Sequence, residues 1–299
     1  MMIELSSTSP VQAQADWLLL PHFDGVPDDP RWQEVDAALG GSLGRLREAG
    51  DITGKLGEVT RLLDPRGIAA RRVLAIGMGN PGALSPARVL RAMQTAVREV
   101  CTRPDRTLAV VLPAPETLAG AAGDGVDPPL TPQRWAQLAA TAVAVGSSSQ
   151  QLYRSQPERH PLRAVSFLAG DGASPALRSA VETGTILGES VNLTRELVNR
   201  HPGEVYPESF ADRAAQVAAE YGLACEVFDE QRLHAERMQA LLGVAQGSSR
   251  PPRMVVLEYR GGDADDPPLA LVGKGGTFDS GGLTLQPTDG LNPMTAAMA

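Results

Sequence analysis

Residues 269–282, LALVGKGGTFDSGG, are the stretch that sets how the rest of the chain is read. A short apolar run leads into a glycine-dense turn that carries one lysine, Lys274, and one carboxylate, Asp279, with Ser280 behind them. Glycine on either side of Lys274 lets the backbone approach a ligand closely. The pattern predicts a buried strand over 269–272 that delivers polar groups from its carboxyl end, which is where open α/β sheets bind ligands. The plainer reading is a tight strand–turn linker whose Lys274 and Asp279 are simply solvated.

Working back from that turn, the chain alternates strands and helices. Residues 254–259 (MVVLEY) and 223–228 are expected strands, with a helix over 231–241 between them and a turn at 263–268. Phe210, Ala214, Val217 and Tyr221 repeat at helical spacing before Gly222, a C-terminal stop. Ser174-Pro175 opens the longest helical pattern, with Leu177, Val181, Leu187, Val191, Thr194, Leu197 and Val198 along one face until His201-Pro202. Gly184 and Gly188 lie inside it, each costing up to ~1 kcal/mol relative to alanine.

The first half repeats the alternation. Expected buried strands are 15–20, 73–76, 107–112 and 163–168, the first closed by Pro21 and a turn at 22–25. Ser85-Pro86 and Thr131-Pro132 each supply an N-cap and a proline at the first helical position. Val89, Met93, Ala96 and Val100 mark the core face of the first of these helices, and Trp135, Leu138, Ala142 and Val145 that of the second. A further helix is expected over 32–39, a hairpin turn at 64–67, and loop with or without a short helix over 114–129. Such alternation predicts a parallel sheet. Residues 77–82 (GMGNPG) follow a strand but lack the third glycine and the acidic partner of a dinucleotide fingerprint. His22 stands alone and reads as a surface or core histidine, not a metal ligand.

Composition sets the outer bounds. A chain of 299 residues accommodates about two domains at ~150 residues each. The apolar fraction is 42% and the aromatic fraction 4%, which suits close packing of helices on a sheet. A net charge of -8 repels polyanions, so nucleic acid is not the expected partner. Cys101 and Cys225, the two cysteines, allow one disulfide by count, but the expectation is two reduced buried thiols. No apolar run reaches the ~18 residues that span a bilayer, and residues 1–10 lack a basic start followed by an apolar core. The expectation is a cytoplasmic protein without a membrane partner.

Several segments, in order, resemble the cytosolic leucyl aminopeptidase family. They are residues 192–199 (NLTRELVN), 244–248 (VAQGS) with 251–253 (PPR), and 272–275 (VGKG) with 277–282 (TFDSGG). Residues 54–58 (GKLGE) and 71–74 (RRVL) are similar to the family's amino-terminal domain. The resemblance implies an α/β chain: an amino-terminal macro-like α/β domain, 1–172, followed by a linker helix and the first, incomplete part of an α/β metallopeptidase catalytic domain, 173–299. It also implies hydrolysis of amino-terminal residues from peptides, two divalent metals (manganese or zinc), and a homo-oligomer, hexameric in the family. Two metals in such a site activate a bridging water and polarise the scissile carbonyl.

Carried over position by position, Lys274 matches the lysine that ligates one metal through its amine, and Asp279 a carboxylate ligand. Gln286 stands where the family has a second lysine that stabilises the developing oxyanion, and Ala297 where it has an aspartate ligand. Losing one oxyanion donor typically costs about 10²–10³ in rate, and a methyl group ligates no hard cation. Asp289, the one carboxylate of the tail, falls off the ligand position. The family's downstream Asp/Glu/Arg motif lies beyond Ala299. The resulting expectation is an aminopeptidase-like chain with little or no activity as it stands. The alternative is a non-catalytic homologue that serves oligomerisation or ligand binding.

Overall fold

The computed structural model describes every residue except 26–28, 122–129, 264, 280–283, 286, 288 and 291–299. The chain divides into two compact units, Met1–Leu193 and Thr194–Ala299.

The first unit is built on a six-stranded sheet: β1 (Met2–Ser6), β2 (Trp17–His22), β3 (Val59–Leu63), β4 (Arg72–Gly77), β5 (Thr107–Val111) and β6 (Ala164–Leu168). Its spatial order is β1-β6-β5-β2-β4-β3. All neighbours are parallel except β3, which runs antiparallel to β4 at the edge. The expected parallel sheet is therefore present. β1 escapes the sequence reading because its burial is partial and its run short. It pairs with β6 in register Met2↔Ala164 to Ser6↔Leu168.

Side-chain alternation divides the core between the two sheet faces. Leu19, Leu74, Ile76, Leu108, Val110, Val165 and Phe167 point to one face. There they meet α3 (Pro86–Val100), α5 (Pro132–Ser147) and the first turns of α6 (Pro175–Asn199). Leu18, Leu20, Val73, Ala75, Ala109 and Val111 point to the other, beneath α1 (Pro30–Ala38) and α2 (Ser42–Glu48). Both capping predictions hold: Ser85 Oγ accepts from the Arg88 amide at 3.4 Å and Thr131 Oγ1 from the Arg134 amide at 3.2 Å. A short helix, α4 (Pro115–Ala121), occupies the start of the 114–129 segment.

Three local expectations change. Strand β2 continues through Pro21 and His22 instead of closing at the proline. Its ladder to β5 covers only Trp17 to Leu19, so Pro21, which has no N–H to give, falls beyond that pairing. The strand that partners β3 across the 64–67 turn is β4 itself. There Gly67, at φ +95°, lies so close to α1 that a Cβ would sit 2.0 Å from the Ala38 carbonyl oxygen. Finally, the buried face of α6 runs through Leu177, Val181, Gly184 and Gly188, while Leu187 and Val191 are exposed. A Cβ at Gly184 would lie 2.2 Å from the Gln137 carbonyl oxygen, and one at Gly188 2.5 Å from Ala144 Cβ, so the two glycines let α6 press its backbone onto α5. Thr141 Oγ1 donates to the Gly184 carbonyl at 2.9 Å and Asn192 Nδ2 to that of Ala144 at 2.9 Å. The helical cost of glycine is offset by this approach.

The second unit contains α7 (Pro207–Tyr221), β7 (Ala224–Phe228), α8 (Glu230–Ala235), α9 (Gln239–Ala245) and β8 (Met254–Glu258). Gly222 takes the left-handed conformation expected of a helix stop, φ +69°. Strands β7 and β8 form an antiparallel pair. The single helix expected over 231–241 is two short ones, because Arg237 adopts φ +58° between them. The turn sets Leu233 and Leu242 as the buried residues of α8 and α9.

Candidate metal-site segment

The strand expected over 269–272 does not form. Residues 269–279 have no regular structure, and Leu269, Leu271 and Val272 are 86%, 89% and 97% exposed. The apolar run has the composition of a buried strand, but such a strand needs a ladder partner and a covering layer. Among the described residues it has neither. One approach to this stretch is aromatic: the Phe210 ring of α7 lies 3.7 Å from the position of a Gly275 Cβ. Sequence reasoning treated Phe210 only as a helix-face residue. Its one signal is position, as the fourth residue of α7.

Lys274 and Asp279 both lie on this exposed segment. Lys274 folds back over the next turn residue, its Nζ 3.6 Å from the position of a Gly276 Cβ. Gln286, Ala297 and Ser280 fall outside the described residues. Among the described residues no group of three or more His, Cys, Asp or Glu side chains could hold a metal ion. A transition metal in a protein takes about four ligands, so Lys274 and Asp279, taken by themselves among the described residues, fall short of a two-metal centre.

At the carboxyl ends of β2 and β4 the first unit closes on itself. The amide of Gly57 donates to the Gly77 carbonyl at 2.8 Å, that of Gly79 to Gly54 at 2.8 Å, and that of Met78 to His22 at 2.8 Å. A Cβ at Gly77 would lie 2.1 Å from the Lys55 carbonyl oxygen. Gly77 and Gly79 thus serve backbone packing against 54–57, and the weak dinucleotide signal needs no phosphate to explain it. The Glu58 carboxylate pins this lid. Burial pulls its pKa upward, but hydrogen bonds from the Thr53 and Gly54 amides, at 2.7 and 2.8 Å, outweigh it and hold the group below its ordinary value.

His22 is 3% exposed, with its ring 4.8 Å from that of Trp32, and neither ring nitrogen has a hydrogen-bond partner among the described residues. It is a core histidine. Burial first, and then the Arg47 charge, push its pKa down to about 4. Cys101 is buried and Cys225 half-buried, and both are free thiols. Burial raises the Cys101 thiol to about 12.

A two-unit α/β chain with an exposed Lys/Asp turn near its end is matched by known proteins in both halves. Residues 20–157 match the N-terminal domain of the cytosol aminopeptidase family and residues 192–299 its catalytic domain. The chain belongs to the cytosol aminopeptidase family. It is 32% identical over 309 residues to a probable cytosol aminopeptidase of Koribacter versatilis (strain Ellin345), covering 100% of this chain and 60% of that protein. A probable cytosol aminopeptidase of Syntrophotalea carbinolica is 35% identical over 302 residues, covering 100% and 59%. Among solved structures, a tomato leucine aminopeptidase mutant superposes with TM-score 0.78 at 26% identity, covering 100% of this chain and 58% of that one. The bottromycin maturation enzyme BotP, in complex with Mn, superposes with TM-score 0.68 at 31% identity, covering 92% and 51%. The chain thus spans about 60% of the length of these two curated relatives. Among the described residues no helix is long and apolar enough to cross a membrane.

Proposed function

We propose that this chain is a homologue of metal-dependent leucyl aminopeptidases, which hydrolyse amino-terminal residues from peptides, with little or no turnover of its own. What supports this reading is the motif in residues 272–299: by the resemblance Lys274 and Asp279 match two metal ligands, whereas Gln286 and Ala297 stand where the family has a lysine and an aspartate. Gln286 offers an amide donor without positive charge, at a typical cost of about 10²–10³ in rate. Ala297 removes a ligand outright, and both losses stand whatever follows residue 299. A solved relative in complex with Mn supports manganese as a metal of the complete site, with zinc the alternative that the resemblance implies, and the relatives' names support peptides as substrates and a cytosolic setting.

The test is release of p-nitroaniline from leucine p-nitroanilide with Mn²⁺ or Zn²⁺ supplied. Turnover indistinguishable from a metal-free control is expected. Metal-dependent turnover above that control overturns the reading.

A second reading, a non-catalytic homologue acting through assembly, is favoured by the exposed apolar surface of the second unit. Val256 and Leu257 of β8 are 37% and 46% exposed, and Leu269, Leu271 and Val272 are exposed as well. An open strand edge with apolar neighbours invites association. Light scattering should then show a discrete homo-oligomer, a hexamer if the family arrangement is kept. A monomer at all concentrations contradicts it.

A further inference from the structure

We propose that a polar cavity of about 380 Å³ in the second unit, between α8 and the 246–252 segment, binds a free α-amino acid as its zwitterion. The proposal is independent of whether the chain hydrolyses peptides.

Two oppositely charged groups line the cavity. Glu230 and His234 are four residues apart on α8, so they share a face one turn apart. Gln246, Ser249 and Arg250 line the same cavity. Among the described residues, the side chains of Glu230, His234, Gln246 and Ser249 have no hydrogen-bond or ion-pair partner. Their donors and acceptors are therefore unspent by the fold.

Arg250 is held in place by other means. Its guanidinium carbon lies 3.9 Å from the centroid of the Tyr206 ring, a stacked cation–π contact that fixes the plane and leaves the N–H edges available. Its backbone amide donates to Ser248 Oγ at 3.1 Å, and the Ser248 amide to the Ala245 carbonyl at 2.9 Å. Pro251 and Pro252 stiffen the chain directly after it. The 244–253 segment, VAQGSSRPPR, thereby becomes a wall that presents a guanidinium, a hydroxyl and an amide.

Charge balance selects the ligand. A bare anion such as phosphate would meet Glu230, and a bare cation would meet Arg250. A molecule with both ends satisfies both, its carboxylate accepting from Arg250 and Ser249 and its ammonium donating to Glu230. The cavity volume lies at the low end of small-molecule sites, which run from about 300 Å³. Buried Leu242 supplies an apolar patch for a side chain. Because the site is open to solvent, weak affinity is expected, with Kd around 1 mM.

The experiment is calorimetric titration of the chain with L-leucine and glycine, beside acetate and methylammonium, which carry one end each. Saturable binding of the amino acids is expected, with either half-ligand roughly tenfold weaker or more, a loss of about 1.4 kcal/mol. Arg250→Ala and Glu230→Gln should each weaken amino-acid binding by roughly tenfold or more while leaving the far-UV circular dichroism spectrum unchanged. Absence of saturable binding overturns the proposal. So does undiminished binding in either variant, or binding of acetate as tight as that of leucine.

Discussion

Replacing Gly184 by alanine tests the α5–α6 seam directly. An added Cβ would lie 2.2 Å from the Gln137 carbonyl oxygen and 2.9 Å from Ala140 Cβ, against an ordinary contact of 3.4–4 Å. Relieving the clash requires the helices to part by roughly 1 Å, enough to forfeit a quarter to a half of the dispersion contact across the seam. Overpacking of this kind costs about 1–3 kcal/mol. The Thr141–Gly184 hydrogen bond is strained with it, at about 1 kcal/mol, while alanine regains about 1 kcal/mol of helix propensity. The net expectation is a loss of about 1–3 kcal/mol. All three tryptophans, Trp17, Trp32 and Trp135, lie in the first unit, so urea denaturation followed by their emission reports that unit alone. Thr183→Ala, on the exposed face of the same helix, is the control and should be neutral or slightly stabilising. Gly184→Ala that is as stable as the parent refutes the seam, because propensity alone then governs the position.

Other outcomes follow from single sites. His22 has a pKa lowered from 6.5 to about 4, so the fold favours its neutral form: its contribution is fully present above pH 6.5 and is lost as pH falls from there to about 4. At about 1.4 kcal/mol per unit, the first unit loses roughly 3 kcal/mol over that window, and His22→Phe should flatten the slope of urea midpoint against pH; an unchanged slope contradicts this. Asp29 is buried, caps α1 by accepting from the Arg31 amide at 2.9 Å, and accepts from the Ala114 amide at 2.7 Å and Thr117 Oγ1 at 2.6 Å. Asp29→Ala leaves buried donors unpaired and should cost about 2–4 kcal/mol in the same tryptophan assay; a loss under half of that refutes its role as a clasp. In a thiol-reagent titration the native chain should release one fast equivalent, from Cys225, with Cys101 reacting only on unfolding; two fast equivalents contradict the burial of Cys101.

The strand and helix alternation of the first unit was legible because its segments are long, periodic and capped. Val73 to Ile76 and the Ser85-Pro86 helix needed no tertiary information. The α6 face is as read at Leu177 and Val181 but not at Leu187 and Val191, because apolarity stands in for burial in sequence reasoning, whereas Gly184 and Gly188 are buried through the absence of side chains. Arg237 broke the 231–241 helix through a backbone conformation that residue type does not signal. The run over 269–272 has the sequence of a buried strand, yet strand formation is a property of neighbours, and no described strand pairs with it. Lys274 and Asp279 were legible as a motif, and the structure carries both on that exposed run without assembling a ligand cluster among the described residues.

Elemental analysis decides whether the proposed loss of a complete two-metal centre is real. The purified chain, equilibrated with Mn²⁺ or Zn²⁺ and then dialysed, should retain well below one equivalent of either metal. Retention close to two equivalents, the content of a working two-metal site, contradicts the account.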